Sequence, residues 1–464
     1  MKKLFPLGVM TAVLLSAGCG NLLKSTYHPP AVTYPAQWQE PITIGASVPF
    51  AWQDFHDPQL QHWLQQVLAS NNDLALAALR LYRANLDAQR VGIDTAPSVN
   101  ANLGMTGSKN VNSSTPWSKG SSASLGVDYQ VDLWGKLARQ RDAAEWARQA
   151  TAQDLAAARL TLLSEASKNY WQIAYLNQRI AVSLQSIEHA KTTLKLVNTR
   201  YLAGSVASLD VIDAEQSVVA QENAHLALLA QRKQALNMQA VLLGTAPGNS
   251  VVDPQRLPSG PLPQISADIP ASVLSRRPDI SASELRLREA LAHVDIKRSE
   301  YYPAFNLTSS IGGTSDALFK FVQNPLATLG AGLTLPFVQF RLMDVDIKIA
   351  RNDYQQRVLS FKQSLYKAMA GVEDTLVRRT QLLAQEKKLQ YALELAYQSE
   401  RLNETRYRNG ATPINFWLDA QERRRLAQVE VDTNRYDQLQ NLADIYQQMG
   451  GNSDSPQPSP HTTH

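Results

Sequence analysis

The side chains in this sequence best able to do chemistry sit in two short, similar stretches. Arg200-Tyr201-x-x-Gly204 is followed by Asp210 and Asp213, and Arg406-Tyr407-x-x-Gly410 is followed by Phe416 and Asp419. Carboxylates, guanidiniums and phenols at this spacing can pair ions, donate hydrogen bonds and set a local field. The sequence holds no Gly-rich phosphate loop, no Gly-x-Ser-x-Gly elbow and no His/Asp/Glu set at ligand spacing, so neither catalysis nor a metal nor a cofactor is expected. His56, His62, His189 and His293 lie far apart, and His461 and His464 fall in the last residues. Cys19 is the only cysteine, which excludes a disulfide or a cysteine metal site within one chain.

Each of these residues also has a plain structural role open to it. Gly204 and Gly410 suit the left-handed residue that ends a helix. Ser208 or Asp210 suits a helix cap, and an Asp in a first turn is favoured by the macrodipole. Arg200 and Arg406 suit last-turn cations, and Tyr201 and Tyr407 suit packing between helices.

The elements that must position these turns are long helices. Lys136 to Ala203 contains neither Pro nor Gly, and Leu163, Ala166, Tyr170, Ile173, Leu176, Ile180, Leu184 and Ile187 recur at spacings of three and four. At 1.5 Å per residue such a helix reaches roughly 100 Å, more than a globular core can cover, so it must pack in a long coiled bundle. Arg341 to Gly410 is its counterpart.

A fixed offset relates the two. Asp73 and Asp279 are 206 residues apart (279 less 73), as are Pro97 and Pro303, and Gly204 and Gly410. Three separated motifs sharing one spacing identify an internal duplication. The expected division is a first repeat over 51–260, with a long helix over 137–203 and a return helix over 208–243. A second repeat occupies 261–450, with helices over 341–408 and 413–449.

Between the helical parts of each repeat lie period-two runs. Val99, Ala101, Leu103 and Met105 alternate with polar or small residues, as do Leu125, Val127, Tyr129, Val131 and Leu133. Phe305 and Leu307, then Leu329, Ala331, Leu333 and Leu335, repeat the pattern. Strands are expected near 98–107, 123–133, 304–313 and 328–338, with exposed loops at 108–120 and 314–325. Strands of about ten residues can cross a membrane when tilted, with the apolar column toward lipid. A soluble half-buried sheet gives the same alternation, and evidence of export decides between the two. Four strands cannot close a barrel and open edges are not tolerated in lipid, so the barrel must be shared among subunits.

That export evidence is at the N-terminus. Lys2-Lys3, the apolar run Leu4 to Leu15 and the small residues Ser16-Ala17-Gly18 before Cys19 read as a cleaved signal segment over 1–18. The pattern resembles a bacterial lipoprotein signal, with Cys19 as the lipidated residue and Ser16 standing where Leu is usual. Gly20 replaces the Asp that by the same resemblance retains lipoproteins at the inner membrane, so the expected address is the outer membrane. Residues 19–50 carry five prolines between Asn21 and Pro49 and read as an extended tether. Residues 451–464 read as a disordered tail. The net charge of +4 comes without a Lys/Arg cluster, so nucleic acid is not an expected partner.

Trp52-Gln-Asp-Phe55-x-Asp57-Pro58, Asn72-Asp73-Leu74, Asp132-Leu133-Trp134-Gly135-Lys136, Arg277-Pro278-Asp279-Ile280 and the two Arg-Tyr-x-x-Gly turns occur in this order. Together they resemble the outer-membrane factors of the TolC and OprM type, especially the lipoprotein or NodT-type branch. The departure is Pro336-Phe337-Val338-Gln339-Phe340-Arg341, where the family has a Pro-Ile-Phe-x-x-Gly-like turn.

The resemblance implies an α+β fold and a homotrimer. Three chains of four strands make a twelve-stranded transmembrane β-barrel, and the long antiparallel helices form an α-barrel through the periplasm. It implies a passive exit duct for an inner-membrane pump and a periplasmic adaptor (membrane fusion protein), surrounded by outer-membrane lipid and gated at the periplasmic tip. By resemblance Asp210, Asp213, Asp419, Phe416 and Tyr407 form the constriction, and Gly204, Gly410, Arg200 and Arg406 form the tip that meets the adaptor. Phe416 and Thr412 stand where some members have a gating Asp and Arg, so a hydrophobic constriction replaces part of an ionic one. The duct of a type I protein-secretion system fits the same fold. A periplasmic adaptor or coiled-coil scaffold lipoprotein is the reading from another class, and the four period-two strands argue against it.

Overall fold

The computed structural model describes residues 23–40, 52–112, 114–248, 252–263, 265, 270–315 and 325–451. The expected signal segment, Cys19 and residues 452–464 of the expected tail lie outside the described residues. Eight helices are described: α1 Pro58–Ser70, α2 Asn72–Asp94, α3 Lys136–Leu202, α4 Ser208–Leu242, α5 Pro270–Arg276, α6 Pro278–Ser299, α7 Phe340–Arg408 and α8 Ile414–Gln448. The strands are β1 Ser98–Ser108, β2 Ser118–Val131, β3 Ala304–Ser315 and β4 Leu326–Thr334.

The duplication is visible in the element boundaries. α2 and α6, β1 and β3, and α4 and α8 start 206 residues apart, and α3 and α7, and α4 and α8, end 206 residues apart. The compact units nevertheless do not coincide with the repeats. One unit takes in Leu79–Asp154, Asp279–Ser364 and the N-terminal residues to Val32; the other takes in Thr33–Ala78, Leu155–Pro278 and Leu365 onward. Each unit is therefore built from both halves of the sequence.

The first unit contains the sheet, antiparallel throughout in the order β1-β2-β3-β4. Val99 faces Val127, Ala101 faces Leu125, Leu125 faces Ile311, Val131 faces Phe305 and Phe305 faces Leu333. Directly opposed residues share a face, so this register gathers the apolar columns of all four strands on one side. Asn100, Gly126, Ser124, Gly312, Thr308 and Gly330 gather on the other. The apolar side is left uncovered by the described residues, with Leu103 75% and Leu329 85% exposed. β1 and β4 are open edges of this sheet.

Several strand ends differ from the sequence expectation. β2 begins at Ser118, inside the stretch read as loop, because Gly104 to Ser108 of β1 pair with Ser118 to Ser122. Backbone ladder bonds hold these Ser, Lys and Gly residues in a strand that side-chain alternation does not mark. β2 stops at Val131 because Asp132 turns away to accept from the backbone N–H groups of Leu137 (3.1 Å) and Ala138 (2.8 Å), at the start of α3. β4 stops at Thr334 rather than 338, and Pro336–Gln339 form a 3₁₀ turn. Pro336 cannot donate to a ladder but suits the first position of a helical turn, so the chain bends into α7 without the family glycine.

Trp134 explains the rest of the Asp-Leu-Trp-Gly-Lys motif. Its indole donates to the Pro303 carbonyl (2.8 Å) and its ring lies 5.0 Å from that of Tyr302, which joins the exit of β2 to the entrance of β3. The Arg141 guanidinium donates to the Thr95 carbonyl (3.1 Å), tying α3 to the end of α2.

The expected tether is docked where it is described. In the first unit the Ser25 backbone N–H (2.8 Å) and hydroxyl (2.6 Å) donate to the buried carboxylate of Asp295 on α6. Arg288 stacks over the Tyr27 ring at 4.8 Å. Burial, with Glu284 nearby, pushes the Tyr27 phenol up to about 12. In the second unit Trp38 packs against Val273, Val372 and Leu376, and the Gln39 N–H donates to Glu373 (2.8 Å). Composition alone reads this Pro-rich run as an extended tether; its described part forms no helix or strand, and its Ser and aromatic side chains find partners far away in sequence.

The second unit has its core around Trp52, Leu60, Trp63, Leu163, Trp171, Leu439 and Tyr446. The Trp63 indole donates to the Ala166 carbonyl (2.9 Å), and the Tyr170 hydroxyl donates to Asp57 (2.9 Å). Burial pushes the Tyr170 phenol up, and the Asp57 charge adds to it. Buried amides pin the helices in register: Asn169 of α3 donates to the Ala235 carbonyl of α4 (2.9 Å), and Asn441 of α8 to the Thr375 carbonyl of α7 (3.0 Å).

Candidate functional site: the paired helical turns

Both candidate turns belong to the second unit. In each, a glycine at positive φ ends the incoming helix: Gly204 at +69° ends α3 and Gly410 at +70° ends α7. The Gly204 N–H donates to the Tyr201 carbonyl (2.9 Å) and the Ser205 N–H to the Arg200 carbonyl (2.9 Å). Gly410 to Tyr407 (2.9 Å) and Ala411 to Arg406 (2.8 Å) repeat the pair. This pair of hydrogen bonds around a left-handed residue is the Schellman closure, and it explains why Arg-Tyr-x-x-Gly recurs at a fixed offset.

The two turns pack on each other through a small apolar cluster. Val197, Ala214, Tyr407, Ile414 and Trp417 are buried in it. Arg200 crosses from the first turn to the second and donates to the carbonyls of Tyr407 (2.9 Å) and Arg408 (2.7 Å). Its guanidinium lies 4.5 Å from the centroid of the Tyr407 ring. Arg200 is thus a last-turn cation, but for the neighbouring helix, whose orphan carbonyls it satisfies while stacking on a buried ring. Burial pushes the Tyr407 phenol up, Arg200 beside it offsets part of that, and the Asp210 charge adds to the rise.

Asp210 reaches back to accept from the Ala207 N–H (3.1 Å) at the start of α4, so it caps that helix. Asp213 is half-buried, while Asp419 and Arg406 are exposed, and none of the three side chains makes a hydrogen bond or ion pair with any described residue. Phe416, at the position equivalent to Asp210, is 52% exposed. Tyr407 is only 2% exposed, whereas its counterpart Tyr201 is 45% exposed. The chain therefore brings Arg200, Tyr407 and Asp210 together and leaves Arg406, Tyr201, Phe416 and Asp419 exposed.

Sequence reasoning passed over Trp417, whose ring lies 5.5 Å from Tyr407, and over Arg424, which pairs with Glu400 on α7. The signal for Trp417 was present as Ile414-x-x-Trp417-x-x-Ala420, an apolar face at helical spacing.

No helix among the described residues is long and apolar enough to cross a membrane. The uncovered apolar face is that of the sheet, and in chain order β2 and β4 precede α3 and α7 whereas the turns follow them. A model of a protein family described as outer membrane efflux protein matches residues 63–245 and again 269–451. The two matches begin and end 206 residues apart, one per repeat. The chain belongs to the outer membrane efflux protein family.

Its relatives agree along the whole length. The pyoverdine export outer membrane protein OpmQ of Pseudomonas aeruginosa is 30% identical, over 96% of both chains. The toxin and drug export protein A of Aggregatibacter actinomycetemcomitans is 27% identical, over 97% of this chain and 98% of its own. Among solved structures, CusC has the same fold, with a TM-score of 0.83 over 93% of this chain and all of its own at 22% identity. As a member of this family, the protein is an outer-membrane efflux duct.

Proposed function

We propose that three copies of the chain close into a twelve-stranded barrel in the outer membrane, and that their helices form the wall of a periplasmic duct narrowed at the paired turns. The observation that carries this reading is the sheet: one continuous uncovered apolar face, one continuous polar face and two open edges. Lipid accepts such a sheet only when its edges are paired, and the partners available are further copies of itself. Two copies make eight strands, about the number whose side chains fill the lumen; three leave a water-filled path. Exposed apolar stripes on α2 (Leu76, Leu79, Leu86) and α7 (Val345, Leu359, Tyr366) support the same assembly, since each needs a covering helix.

At the tip, Asp213, Asp419 and Phe416 line the constriction. Repeated around the axis, the carboxylates attract cations and repel one another, while Phe416 narrows the path with an apolar ring. The duct is passive: an inner-membrane pump supplies the energy and a periplasmic adaptor seats on the turns around Gly204 and Gly410. Cys19 carries the lipid anchor. Selection of cargo belongs to the pump, which is compatible with relatives named for pyoverdine, toxin and drug export.

The test is single-channel conductance of the purified protein in planar bilayers. Wild type is expected to give small openings, and Asp419→Ala and Phe416→Ala larger ones. A protein that extracts without detergent and never forms a channel sinks the duct assembly.

A further inference from the structure

The two turns have equivalent backbones but unequal surroundings. Arg200 spends both guanidinium edges on the Tyr407 and Arg408 carbonyls and stacks on a buried Tyr407. The side chain of its repeat equivalent, Arg406, makes no hydrogen bond or ion pair with any described residue, and the residue is exposed. The repeat equivalents of Arg200's targets are the carbonyls of Tyr201 and Leu202. Leu202 is the last residue of α3, as Arg408 is of α7, and no described residue donates to its carbonyl. The Tyr201 ring is 45% and Leu202 86% exposed. Among its described residues, one chain thus carries a guanidinium with no side-chain partner and, at its first turn, an exposed ring beside a Leu202 carbonyl with no donor and a Tyr201 carbonyl that accepts only the Gly204 N–H.

We propose that Arg406 of each copy donates to the Tyr201 and Leu202 carbonyls of the next copy and stacks on its Tyr201 ring, reproducing between chains the joint that Arg200 makes within one. This rests on the ring assembly proposed above and deepens it by naming the contact that closes the tip. A ring of duplicated chains has two kinds of neighbour, repeat one against repeat two inside a chain and repeat two against repeat one across a boundary, and equivalent surfaces bind alike when the offset is preserved. The geometry suits Arg alone: a planar fork covers two carbonyls and a ring face together, which a Lys point charge cannot.

The two joints differ in one respect. Asp210 stands beside the internal joint, and Phe416 holds its equivalent position at the external one.

The experiment uses the full-length protein in detergent and in bilayers. Leu202→Cys/Arg406→Cys is treated with a short bis-maleimide, and Arg406→Ala and Arg406→Lys are compared with wild type by native mass and by single-channel conductance. The inference expects covalent dimers and trimers from the double cysteine variant, and a conductance about twofold or more above wild type in both Arg406 variants. Intact trimers that give no cross-linked ladder, with Arg406→Ala conducting as wild type, overturn this joint and leave the duct standing. Should the wild type itself be neither trimeric nor conducting, the assembly on which the joint rests fails first.

Discussion

The first and second turns of this protein are the same backbone used in two ways. Gly204 and Gly410 close their helices with matching φ and matching bonds, yet one tyrosine is buried and the other is exposed. The difference comes from the residues C-terminal to each glycine. The second turn supplies Ile414 and Trp417 to a core that Val197 and Ala214 of the first turn complete. A duplicated element need not duplicate its environment.

The strongest way to break the comparison is to empty that core. Trp417→Ala removes a side chain that is 5% exposed and is expected to cost about 3–5 kcal/mol, read as a lowered midpoint of chemical unfolding. A loss within experimental error would mean that Arg200, rather than packing, holds the turns together.

Arg200→Ala is expected to cost less, about 1–3 kcal/mol, because it leaves two helix-end carbonyls without their charged donor. Its signature is local: faster amide exchange at Gly410 and Ala411, with Gly204 and Ser205 unaffected. Equal acceleration in both turns would show that the two are one cooperative unit and would blunt the distinction drawn between them.

The smallest effect is the alkaline one. The Tyr407 phenol is held above its ordinary value chiefly by burial, so the folded tip prefers it neutral. Stability from this group is complete below about pH 10 and is lost as the pH rises through the raised folded value. Conductance is expected to climb at alkaline pH in wild type and to stay level in Tyr407→Phe. A Tyr407→Phe variant with an unchanged alkaline rise assigns the titration to another group.

Much of this was legible residue by residue. Period-two runs announced the four strands, since alternation and a sheet with one apolar and one polar face are the same fact seen in sequence and in space. Absence of Pro and Gly over Lys136 to Ala203 announced α3, and the 206-residue offset announced the duplication. The ends and partners that depend on the far half of the chain could not be read in this way. Ser118 to Ser122 are strand because β1 lies beside them, and Ser25 is docked because the Asp295 carboxylate lies 270 residues away.

Local chemistry by itself determined the glycine closures, the cap that Asp132 offers α3 and the two faces of the sheet, because each depends on neighbours within a few residues or on a strict period. Only the tertiary structure decided that Arg200 is engaged while Arg406 meets no described partner, and that Tyr407 is buried while Tyr201 is exposed. The residues leading into the two glycines are nearly alike, and the contact that separates the turns spans 207 residues. Such a contact is set by which helices pack together, a property of the folded chain that no window of sequence contains.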